Sequence, residues 1–443
     1  MNDLPYGWVE TTLGAVADWG SGGTPKAGTA AYYGGSIAWA VIGDLTDGII
    51  RKTTGTITEL GLQNSSAKVI GADVVLVAMY GSIGKLGLPS GPMATNQAIA
   101  FARPRRDILT REYLFYYLMR ARHKLAAAGK GATQQNISQT ILKAWPVPIA
   151  PLPEQKRIVA AIEEHFSRLD AGVAALERAR QNLKRMRSAA LEAAVDSTGP
   201  QTTPKVTLED IVAPYRKLAY GVLVPGDHDP DGVPFVRVGD LRDRQVNTQD
   251  LKYISPSIAA RYPRTRLQGG EVLLSVVGTI GRTAVVPPEL AGANTARALA
   301  VIPVQEAVEP RYVAIALSRD RVTRELTDLS HEVARKTLNL EDVRRYEIPL
   351  PSYAEQLEIV TAVETEETWI RSVEEVVART LRRADHLRSS ILQAAFSGRL
   401  VPQDENDQPA SALLARIASE RTSGNGRRLT RRGNPRVMGK ITG

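Results

Sequence analysis

The stretch EQKRIVAAIEEHFSRLDAGVAALERARQNLKRMRSAALEAAV, residues 154–195, decides the architecture of this chain. It contains no proline and one glycine, and most of its residues favour helix. Its apolar residues recur at the alternating four- and three-residue spacing of a coiled-coil seam, although Arg180 and Arg187 interrupt that seam. The apolar seam positions are Ile162, Phe166, Leu169, Val173, Leu176, Leu183 and Ala190. A single helix of this length would span roughly 63 Å, which is too long for burial in one globule, so the pattern predicts a helical partner.

The partner lies in the same chain, because residues 355–396 repeat the pattern. The second seam consists of Val363, Ile370, Val373, Val377, Ala384, Leu387 and Ile391. Glu154-Gln155 aligns with Glu355-Gln356, and Arg187-Ser188 aligns with Arg388-Ser389. A period of about 200 residues is too long for a solenoid, so the chain contains two copies of one unit. Each copy is a globular part followed by a long helix.

The globular parts have the sequence pattern of a mixed α/β fold. Within residues 1–150, short apolar runs between Gly, Thr and Ser clusters predict strands and turns, and residues 111–128 predict a helix. The four prolines within residues 145–153 favour an extended lead-in to the first long helix. The second copy has its own lead-in at residues 348–351. The same order of elements is therefore expected twice.

Landmarks of the first globular part recur in the second. Residues 38–45, AWAVIGDL, match residues 234–241, PFVRVGDL, and the turn Gly81-Ser-Ile-Gly-Lys85 matches Gly278-Thr-Ile-Gly-Arg282. The stretches between these landmarks differ in sequence. Two modules that read different targets would show this difference, and so would neutral drift after a duplication, and the sequence leaves both explanations open.

Composition narrows the class of protein. The 443 residues are 43% hydrophobic and 23% charged, which suits two or three ordinary globular domains. The absence of cysteine excludes disulfides and thiolate metal sites, and there is no signal-peptide pattern or membrane-spanning apolar run, so we expect a cytoplasmic protein. The formal charge is +9, but residues 421–443 contain seven Lys/Arg and no acidic residue. This tail is expected to be either a salt-sensitive anchor to nucleic acid or a flexible, solvated segment.

The sequence contains no recognisable catalytic constellation. Its five histidines lack metal-ligand spacing. The turn at residues 81–85 has too few residues between its glycines for a phosphate-binding P-loop, and Leu86 follows its lysine. There is no GxGxxG fingerprint and no Asn/Asp-Pro-Pro-aromatic motif of the amino-methyltransferases. The sequence motifs of several enzyme classes are therefore absent together, which favours a binding protein.

The loops carry side chains that suit nucleic acid. Residues 78–85 combine an aromatic ring, flexible backbone amides and a cation, and the matching turn ends in Arg282, which can fork to guanine or phosphate. Residues 129–136 combine a cation with three amide side chains of the type that pairs with adenine. Each loop alone also fits a solvated turn, but their recurrence at equivalent points favours DNA binding. The candidate DNA-binding residues are Lys26, Arg51, Lys52, Tyr80, Ser82, Lys85, Lys130, Gln134, Gln135, Asn136, Tyr215, Arg216, Lys217, Arg237, Thr279, Arg282, Arg335 and Lys336.

These landmarks resemble the specificity subunit of type I restriction-modification systems. The similar stretches are residues 20–45, at the start of a target recognition domain, residues 147–159 and 348–360, at the two domain-to-spacer junctions, and residues 387–401, at the end of the second spacer helix. The duplicated junction is the most specific of these features. The copies depart from each other where Asn96-Gln97 of the first is paired with Asn294-Thr295 of the second.

The resemblance implies a mixed α/β fold with two target recognition domains, each an α/β globule with a twisted sheet. Two long antiparallel coiled-coil helices separate the domains, and a pseudo-two-fold repeat relates the copies. The implied segments are target recognition domain 1 at 1–150, the first spacer helix at 151–198, target recognition domain 2 at 199–350, the second spacer helix at 351–402, and a basic, flexible C-terminal tail at 403–443.

The resemblance also implies a non-catalytic chain without a metal or cofactor of its own. Each recognition domain would read one half of a bipartite, asymmetric site in double-stranded DNA, and the helices would set the spacing of the halves. The implied partners are adenine-methyltransferase (modification) subunits, which carry S-adenosylmethionine, and restriction/translocase subunits, which use ATP and Mg.

Two other functions stay open at this point. A self-contained DNA methyltransferase or nuclease would bind S-adenosylmethionine or cleave DNA as an isolated chain. A coiled-coil protein-interaction scaffold without DNA contact would show no salt-dependent affinity for DNA, even with its partners present.

Overall fold

The structure is a computed structural model that describes residues 4–129, 136–196, 203–333 and 335–416. Its helices are α1 Leu13–Val16, α2 Glu59–Gln63, α3 Arg111–Ala127, α4 Gln139–Ala144, α5 Leu152–Asp196, α6 Pro256–Ala260, α7 Pro310–Leu317, α8 Asp320–Asp328, α9 Leu340–Arg345 and α10 Tyr353–Ala395. The strands of the first copy are β1 Val9–Thr12, β2 Ala17–Ser21, β3 Tyr33–Ala40, β4 Gly48–Ile50, β5 Gly55–Ile57, β6 Val75–Ala78, β7 Leu86–Pro89, β8 Ala94–Thr95, β9 Ile99–Pro104 and β10 Pro146–Ile149. Those of the second copy are β11 Lys205–Thr207, β12 Ala219–Tyr220, β13 Val233–Val236, β14 Leu241–Arg242, β15 Arg244–Val246, β16 Lys252–Ile254, β17 Val272–Ser275, β18 Thr283–Val285, β19 Asn294–Thr295, β20 Leu299–Ile302, β21 His331–Val333, β22 Arg335–Thr337 and β23 Glu347–Pro349.

The contacts divide the chain into two compact units. Unit 1 consists of Met1–Ala174 and Leu381–Gly443, and unit 2 consists of Ala175–Thr380. Each unit therefore contains one globular part, the adjoining part of α5 and the adjoining part of α10.

Unit 1 is built on a five-stranded sheet of order β2-β9-β6-β7-β4, in which only the pair β4 and β7 is parallel. A three-stranded sheet of order β5-β3-β8 and the pair β1 and β10 complete the globular part. The central strand β6 is buried along its whole length, so it reads as a continuous apolar run. Val75 and Val77 face the core under α3, while Leu76 and Ala78 face a second core.

Unit 2 repeats this arrangement. Its main sheet has the order β12-β20-β17-β18-β15-β14, with a three-stranded sheet of order β16-β13-β19 and the pair β11 and β23. The central strand β17 is again buried throughout. Val272 and Leu274 face a core that includes Tyr312 of α7, and Leu273 faces a second core. The internal repeat predicted from the sequence is therefore a repeat of topology as well.

In unit 1 the two long helices pack against each other and run antiparallel. Ile158 near the start of α5 shares a core with Phe396, directly after α10. Further along α5, Asp170 forms an ion pair with Arg388, which precedes Phe396 in the chain. The direction of contact is therefore opposite in the two helices. Arg388 also stacks over the Phe166 ring, 5.6 Å from its centroid.

Unit 2 has the same antiparallel pairing at the other ends of the helices. Val195 near the end of α5 shares a core with Ile359 and Val363 near the start of α10. Earlier in α5, Arg187 pairs with Glu374, later in α10, at 3.3 Å. The predicted mixed α/β class with two long antiparallel helices and an internal repeat is confirmed.

Of the fourteen predicted seam positions, six are buried and seven are partly buried. Ile162 and Leu183 of α5 are buried, as are the four α10 positions Val363, Ile370, Val377 and Ala384. Leu387 is an exception, because 43% of its surface is exposed. The first long helix begins at Leu152, two residues before the quoted stretch, since proline is accommodated in the first turn of a helix.

A buried glutamine fixes the first globular part to its long helix. Gln155 donates through Nε2 to the carbonyls of Ile108, at 2.7 Å, and Ala150, at 2.9 Å. It also accepts a hydrogen bond from the backbone N–H of Thr110 at 3.0 Å. One side chain therefore joins the start of α5 to the loop before α3 and to the end of β10.

The second copy uses the same device. Gln356 donates to the carbonyl of Pro351 at 2.9 Å and accepts from the backbone N–H of Glu309 at 2.9 Å. Both glutamines are almost fully buried, so each hydrogen bond is shielded from water. The Glu-Gln pair occurs at both junctions in the sequence. The hydrogen bonds of its glutamine explain why the same residue is found at both places.

Part of the segment predicted to be a flexible tail packs against unit 1. Asp407 pairs with Arg157 of α5 at 2.7 Å, and the N–H of Ala410 donates to the carbonyl of Gly7 at 2.9 Å. Ala410 is fully buried. The expectation of a flexible tail from residue 403 onward therefore does not apply to residues 403–416. The rest of that predicted tail lies outside the described residues.

The glutamate of the first junction is buried beside this segment. Glu154 accepts a hydrogen bond from Trp8 Nε1 at 3.0 Å. Burial raises the pKa of Glu154, and the hydrogen bond from Trp8 partly opposes that rise.

Candidate nucleic-acid interface

Three loops meet at one end of the main sheet in each unit. In unit 1 this loop end is where β2 ends, β9 begins and β6 ends, because Ser21 pairs with Ala100 and Ala78 pairs with Ile99. In unit 2 it is where β12 ends, β20 begins and β17 ends. These two places are the loop ends of the two units.

The first loop of unit 1 is the turn between β6 and β7. Gly81 and Gly84 have φ angles of 62° and 78°, in the left-handed region that favours glycine. The N–H of Lys85 donates to the carbonyl of Ser82 at 3.0 Å, which closes the turn. Tyr80 and Ser82 are exposed at its apex, and Lys85 is half-buried.

The turn between β17 and β18 has the same backbone in unit 2. Gly278 and Gly281 have φ angles of 75° and 92°. The N–H of Gly281 returns to the carbonyl of Ser275 at 3.0 Å. Thr279 and Arg282 are exposed. The two predicted turns are thus equivalent structures that present different side chains.

The second loop lies beside this turn in both units. Tyr80 forms an isolated antiparallel bridge with Asn136, and Val277 forms the equivalent bridge with Thr337. Asn136 and Lys336 are exposed. The structure therefore brings Asn136 and Lys336 next to the glycine turns, a proximity that the sequence did not predict. The candidates outside the described part of the chain are Lys130, Gln134, Gln135 and the side chain of Arg335.

The third loop joins the small sheet to the main sheet. In unit 1 the N–H of Asn96 donates to the carbonyl of Ala40 at 3.0 Å, and in unit 2 the N–H of Ala296 donates to the carbonyl of Val236 at 2.9 Å. The strands before these residues, β8 and β19, pair in parallel with β3 and β13. Residue 96 therefore corresponds to residue 296, and residue 97 to residue 297.

The pairing of Asn96-Gln97 with Asn294-Thr295 in the sequence is wrong by two residues. That pairing matched two asparagines by type. The backbone instead aligns Thr95 with Thr295, because each accepts a hydrogen bond at its carbonyl from the strand-end loop of its own unit. Asn294 is buried and donates to the carbonyl of Tyr262 at 3.2 Å, so it supports the fold.

The strand-end loop after β2 lies against the third loop in unit 1. The Thr24 hydroxyl donates a hydrogen bond to Oε1 of Gln97. The Tyr33 hydroxyl donates to the carbonyl of Pro25 at 2.7 Å, which holds the neighbouring backbone. Lys26 and Gln97 are exposed at this position. Gln97 was missed in the sequence because the alignment error paired it with Thr295 instead of Arg297.

The equivalent place in unit 2 is a shallow cleft with a basic rim. Arg237, Lys252 and Arg297 line it together with Leu223 and Phe235. Lys252 and Arg297 are exposed, and neither was singled out in the sequence. Leu223 follows the end of β12 as Thr24 follows the end of β2, since Gly221 and Gly22 make equivalent hydrogen bonds to the first residues of β20 and β9. The two units thus carry different chemistry at one backbone position.

Arg237 is held by its neighbours within this cleft. Its guanidinium pairs with Asp240 at 2.8 Å and donates to the carbonyl of Asp250 at 3.2 Å. The hydrogen bonds that its guanidinium donates to the Asp240 carboxylate raise the pKa of Arg237. Arg237 therefore has a structural role in the turn before β14 in addition to its place on the cleft.

The remaining candidates lie at the opposite end of the main sheets. Arg51 and Lys52 follow β4, whose last residue pairs with the last residue of β7, far from the glycine turn. Tyr215, Arg216 and Lys217 precede β12 and so lie away from its loop end. The structure does not bring these five residues to the three loops.

Arg216 has a clear structural partner. Its guanidinium lies 2.8 Å from Oε1 of Glu271, which is 1% exposed. Removing Arg216 would leave a buried carboxylate without its cation. By contrast, Tyr215 is fully exposed and has a φ of 66°, unusual for a residue other than glycine.

Within the described ranges the structure contains no cluster of three or more His, Cys, Asp or Glu side chains that would suit a metal ion. No helix among the described residues is long and apolar enough to cross a membrane. The chemistry of the loop ends is that of cations, amides and hydroxyls, which fits phosphate and base-edge contacts.

Comparison with known protein families gives one matching family model. The model for the type I restriction modification DNA specificity domain matches residues 5–182 and 224–371. Each of these two matches lies within one copy of the internal repeat.

Two curated relatives extend the similarity to most of the chain. The chain is 32% identical over 390 residues to the type I restriction enzyme EcoBI specificity subunit of Escherichia coli, covering 81% of this chain and 82% of the relative. It is 25% identical over 472 residues to the EcoKI specificity subunit of Escherichia coli strain K12, covering 97% and 98%.

Solved structures support the fold. A chain from a study of complex assembly and conformational transition of a type I restriction-modification system superposes with a TM-score of 0.73 at 20% identity, covering 90% of this chain and 99% of that one. The HsdS subunit of Thermoanaerobacter tengcongensis superposes with a TM-score of 0.55 at 21% identity, covering 90% and 98%.

Proposed function

The chain belongs to the family of type I restriction-modification DNA specificity subunits, and we propose that it recognises a bipartite DNA sequence through the loop ends of its two units. Unit 1 reads one half of the site and unit 2 reads the other half. The observation that carries this proposal is the repeated loop end. The same three loops, on the same backbone, carry different exposed side chains in the two units. This is the arrangement expected of two readers of an asymmetric site.

The candidate DNA contacts fall into two groups. Those at the loop ends that the structure describes are Lys26, Tyr80, Ser82, Lys85, Asn136, Arg237, Thr279, Arg282 and Lys336. We assign these residues to the DNA face. Lys130, Gln134, Gln135 and Arg335 belong to the same loops by sequence. The exposed residues Arg51, Lys52, Tyr215 and Lys217 are proposed only as contacts to the DNA backbone outside that face, where a side chain can hold phosphate without reading sequence. Arg216, which pairs with the buried Glu271, is assigned to the fold.

The spacer helices allow the two recognition domains to bind both half-sites at once, which raises the affinity of the whole chain for DNA. Two linked modules gain from effective concentration only if the link matches the distance between the half-sites. A paired helix holds that distance better than a flexible linker does. The proposed segments remain recognition domains at 1–150 and 199–350, spacer helices at 151–198 and 351–402, and a tail from 403.

The chain supplies recognition and scaffolding to a larger assembly in the cytoplasm. Catalysis belongs to its proposed partners: modification subunits that methylate adenine with S-adenosylmethionine, and restriction subunits that use ATP and Mg. The polar faces of α5 and α10 are the proposed docking surfaces, because they are exposed over long stretches of both helices.

The test is to assign each unit to one half-site. In the assembled complex with its modification partner, Lys85→Ala should weaken binding through one half of the methylated sequence, and Arg282→Ala through the other. Each change should cost about 1–3 kcal/mol if the side chain reads a base, or less if it holds a phosphate. Binding is measured at fixed salt on sites with one half scrambled at a time.

The control is Gln268→Ala, an exposed position before β17 that belongs to neither loop end nor to the long helices. If both loop variants affected the same half, the two-reader model would be wrong. If the assembled complex bound all sequences alike, DNA recognition itself would be excluded. Binding of S-adenosylmethionine by the isolated chain would instead favour the methyltransferase alternative.

A further inference from the structure

Residues 97 and 297 occupy one rigid position in the two units. The carbonyl of the next residue, Ala98 or Ala298, accepts a hydrogen bond from the end of β6 or β17, at 2.8 and 2.9 Å. A second bond closes the turn in each unit, from the N–H of the first residue of β9 or β20. The apex side chain is exposed, while the turn beneath it is fixed on both sides. A fixed backbone reduces the ordering cost of recognition by that side chain.

In unit 1 this position carries an oriented amide. The Thr24 hydroxyl donates to Oε1 of Gln97, which defines the side of the amide that bears oxygen. Oε1 keeps a second lone pair, and Nε2 keeps its two hydrogens. An amide in this state can accept from N6 and donate to N7 of an adenine, the bidentate pairing that suits Gln and Asn.

In unit 2 the same position carries a guanidinium without such an orienting group. Arg297 corresponds to Gln97, and the residue that corresponds to Thr24 is Leu223, whose side chain has no hydrogen-bonding group. A guanidinium has only donors in a planar fork, so it has no acceptor side to orient. It matches O6 and N7 of guanine bidentately. Lys252, on the same cleft, offers a point charge that suits a phosphate.

We propose that residues 97 and 297 are equivalent base-reading positions, at which Gln97 reads an adenine in one half-site and Arg297 reads a guanine in the other. The assignment rests on the proposed DNA-recognition function and deepens it. Thr24 is a positioning residue that acts through Gln97, and Lys252 is a phosphate contact beside Arg297.

The first experiment uses Arg297→Gln in the assembled complex with its modification partner. The recognised sequence is first obtained as the methylated motif in genomic DNA of cells that carry the complete system. Binding is then measured on a panel of duplexes with each base pair of the unit 2 half-site substituted singly. We expect the preference for guanine at one position to fall about 10- to 100-fold, with the other positions unchanged.

Two variants separate base reading from charge. Arg297→Lys keeps the charge but loses the planar fork, so it should also lose the guanine preference. Lys252→Ala should weaken binding equally to all members of the panel and reduce the salt dependence by about one ion. Arg266→Gln, an exposed arginine before β17 and away from the loop end, is the matched neutral control.

The second experiment tests the adenine in unit 1. Gln97→Arg should change the preferred base at one position of the unit 1 half-site from adenine to guanine. Thr24→Val removes the orienting hydroxyl and should reduce the adenine preference several-fold, whereas Thr24→Ser should restore it. Rescue by serine would not be expected if Thr24 served only to pack the loop. Gln63→Ala, an exposed glutamine on α2, is the control.

The outcomes separate this assignment from the function on which it rests. If Arg297→Gln and Arg297→Lys lowered the affinity for all duplexes of the panel equally, with no change in base preference, Arg297 would be a phosphate contact. That result would overturn the assignment. Unchanged base preferences of the variants in both half-sites would also overturn the assignment. The proposed DNA recognition would not be affected by that result. Failure of the wild-type complex to prefer its methylated motif would remove the proposed function itself. Unchanged thermal unfolding of each variant excludes misfolding as the cause.

Discussion

At the scale of single residues, the junction glutamines show why a short motif persists at two distant places in this chain. A buried amide that satisfies three backbone groups cannot be replaced by an apolar side chain without leaving those groups unpaired. Gln155 serves the loop before α3, the end of β10 and the start of α5 with one side chain. The junction is therefore a polar connection at the edge of an apolar core.

We expect Gln155→Ala to destabilise the protein by about 2–4 kcal/mol, because it leaves the N–H of Thr110 and two carbonyls buried without partners. The measurement is denaturant unfolding of the wild type and the variant under identical conditions. Gln181→Ala, exposed on the same helix, should change stability by less than about 0.5 kcal/mol. A small effect of both variants would mean that water reaches the junction.

The loop ends illustrate what single-sequence reasoning misses at this scale. The glycine turns were found because the same glycine spacing recurs in both copies, and the structure shows positive φ at Gly81 and Gly84. Gln97 and Arg297 were missed because residue identity aligned the wrong asparagines. Backbone hydrogen bonds between strands determine which residues of that loop correspond in the two units. Matching residues by type gives no information on these bonds.

At the scale of elements, the long helices were predictable because their apolar spacing is long and regular. The pattern located the helices to within two residues at their starts, and all of its fourteen seam positions except Leu387 are buried or partly buried. The exposure of Leu387 was not predictable, because heptad spacing does not say where a globular part takes over the contact. In that region Arg388 instead contacts Asp170 and the Phe166 ring.

The placement of the cationic loops also depended on topology. Tyr215-Arg-Lys217 has the composition of a binding loop, yet it precedes β12 and lies away from the loop end. The order of strands in the main sheet decides which connections share an end, and that order involves pairs distant in sequence. Composition alone gives no information on it.

The seam gives a prediction for the element itself. Ile370 of α10 is fully buried, whereas Val376 on the same helix is 48% exposed. We expect Ile370→Ala to destabilise the protein by about 2–4 kcal/mol through lost burial and the cavity left behind. Val376→Ala should change stability by less than about 0.5 kcal/mol. The comparison uses denaturant unfolding, and equal effects at both positions would contradict the assigned seam.

At the scale of the whole molecule, the repeat and the antiparallel helices determine how the two DNA-recognition units are connected. Each helix belongs to both units: α5 passes from unit 1 into unit 2, and α10 returns from unit 2 into unit 1. Two connections of continuous helix, rather than one loop, therefore join the globular parts. Under the proposed function, this double helical connection is expected to resist both extension and twist, which a single flexible linker does not.

This difference predicts how the complex responds to altered DNA. Each base pair added between the half-sites moves them apart by about 3.4 Å and rotates them by roughly 35°. A stiff connection should lose on the order of tenfold or more in affinity for one added base pair, because the second half-site no longer meets its reader. An insertion of ten base pairs restores the rotation but adds about 34 Å, so it should remain unfavourable.

A flexible tether predicts the opposite pattern, with affinity lost at five added base pairs and recovered at ten. The measurement is equilibrium binding of the assembled complex to duplexes with zero, one, five and ten added base pairs, at one salt concentration. A duplex with one scrambled half-site gives the affinity of a single unit as the lower limit. If the affinity for ten added base pairs rose well above that limit, the helices would not fix the spacing, and recognition by two units would rest on their individual affinities alone.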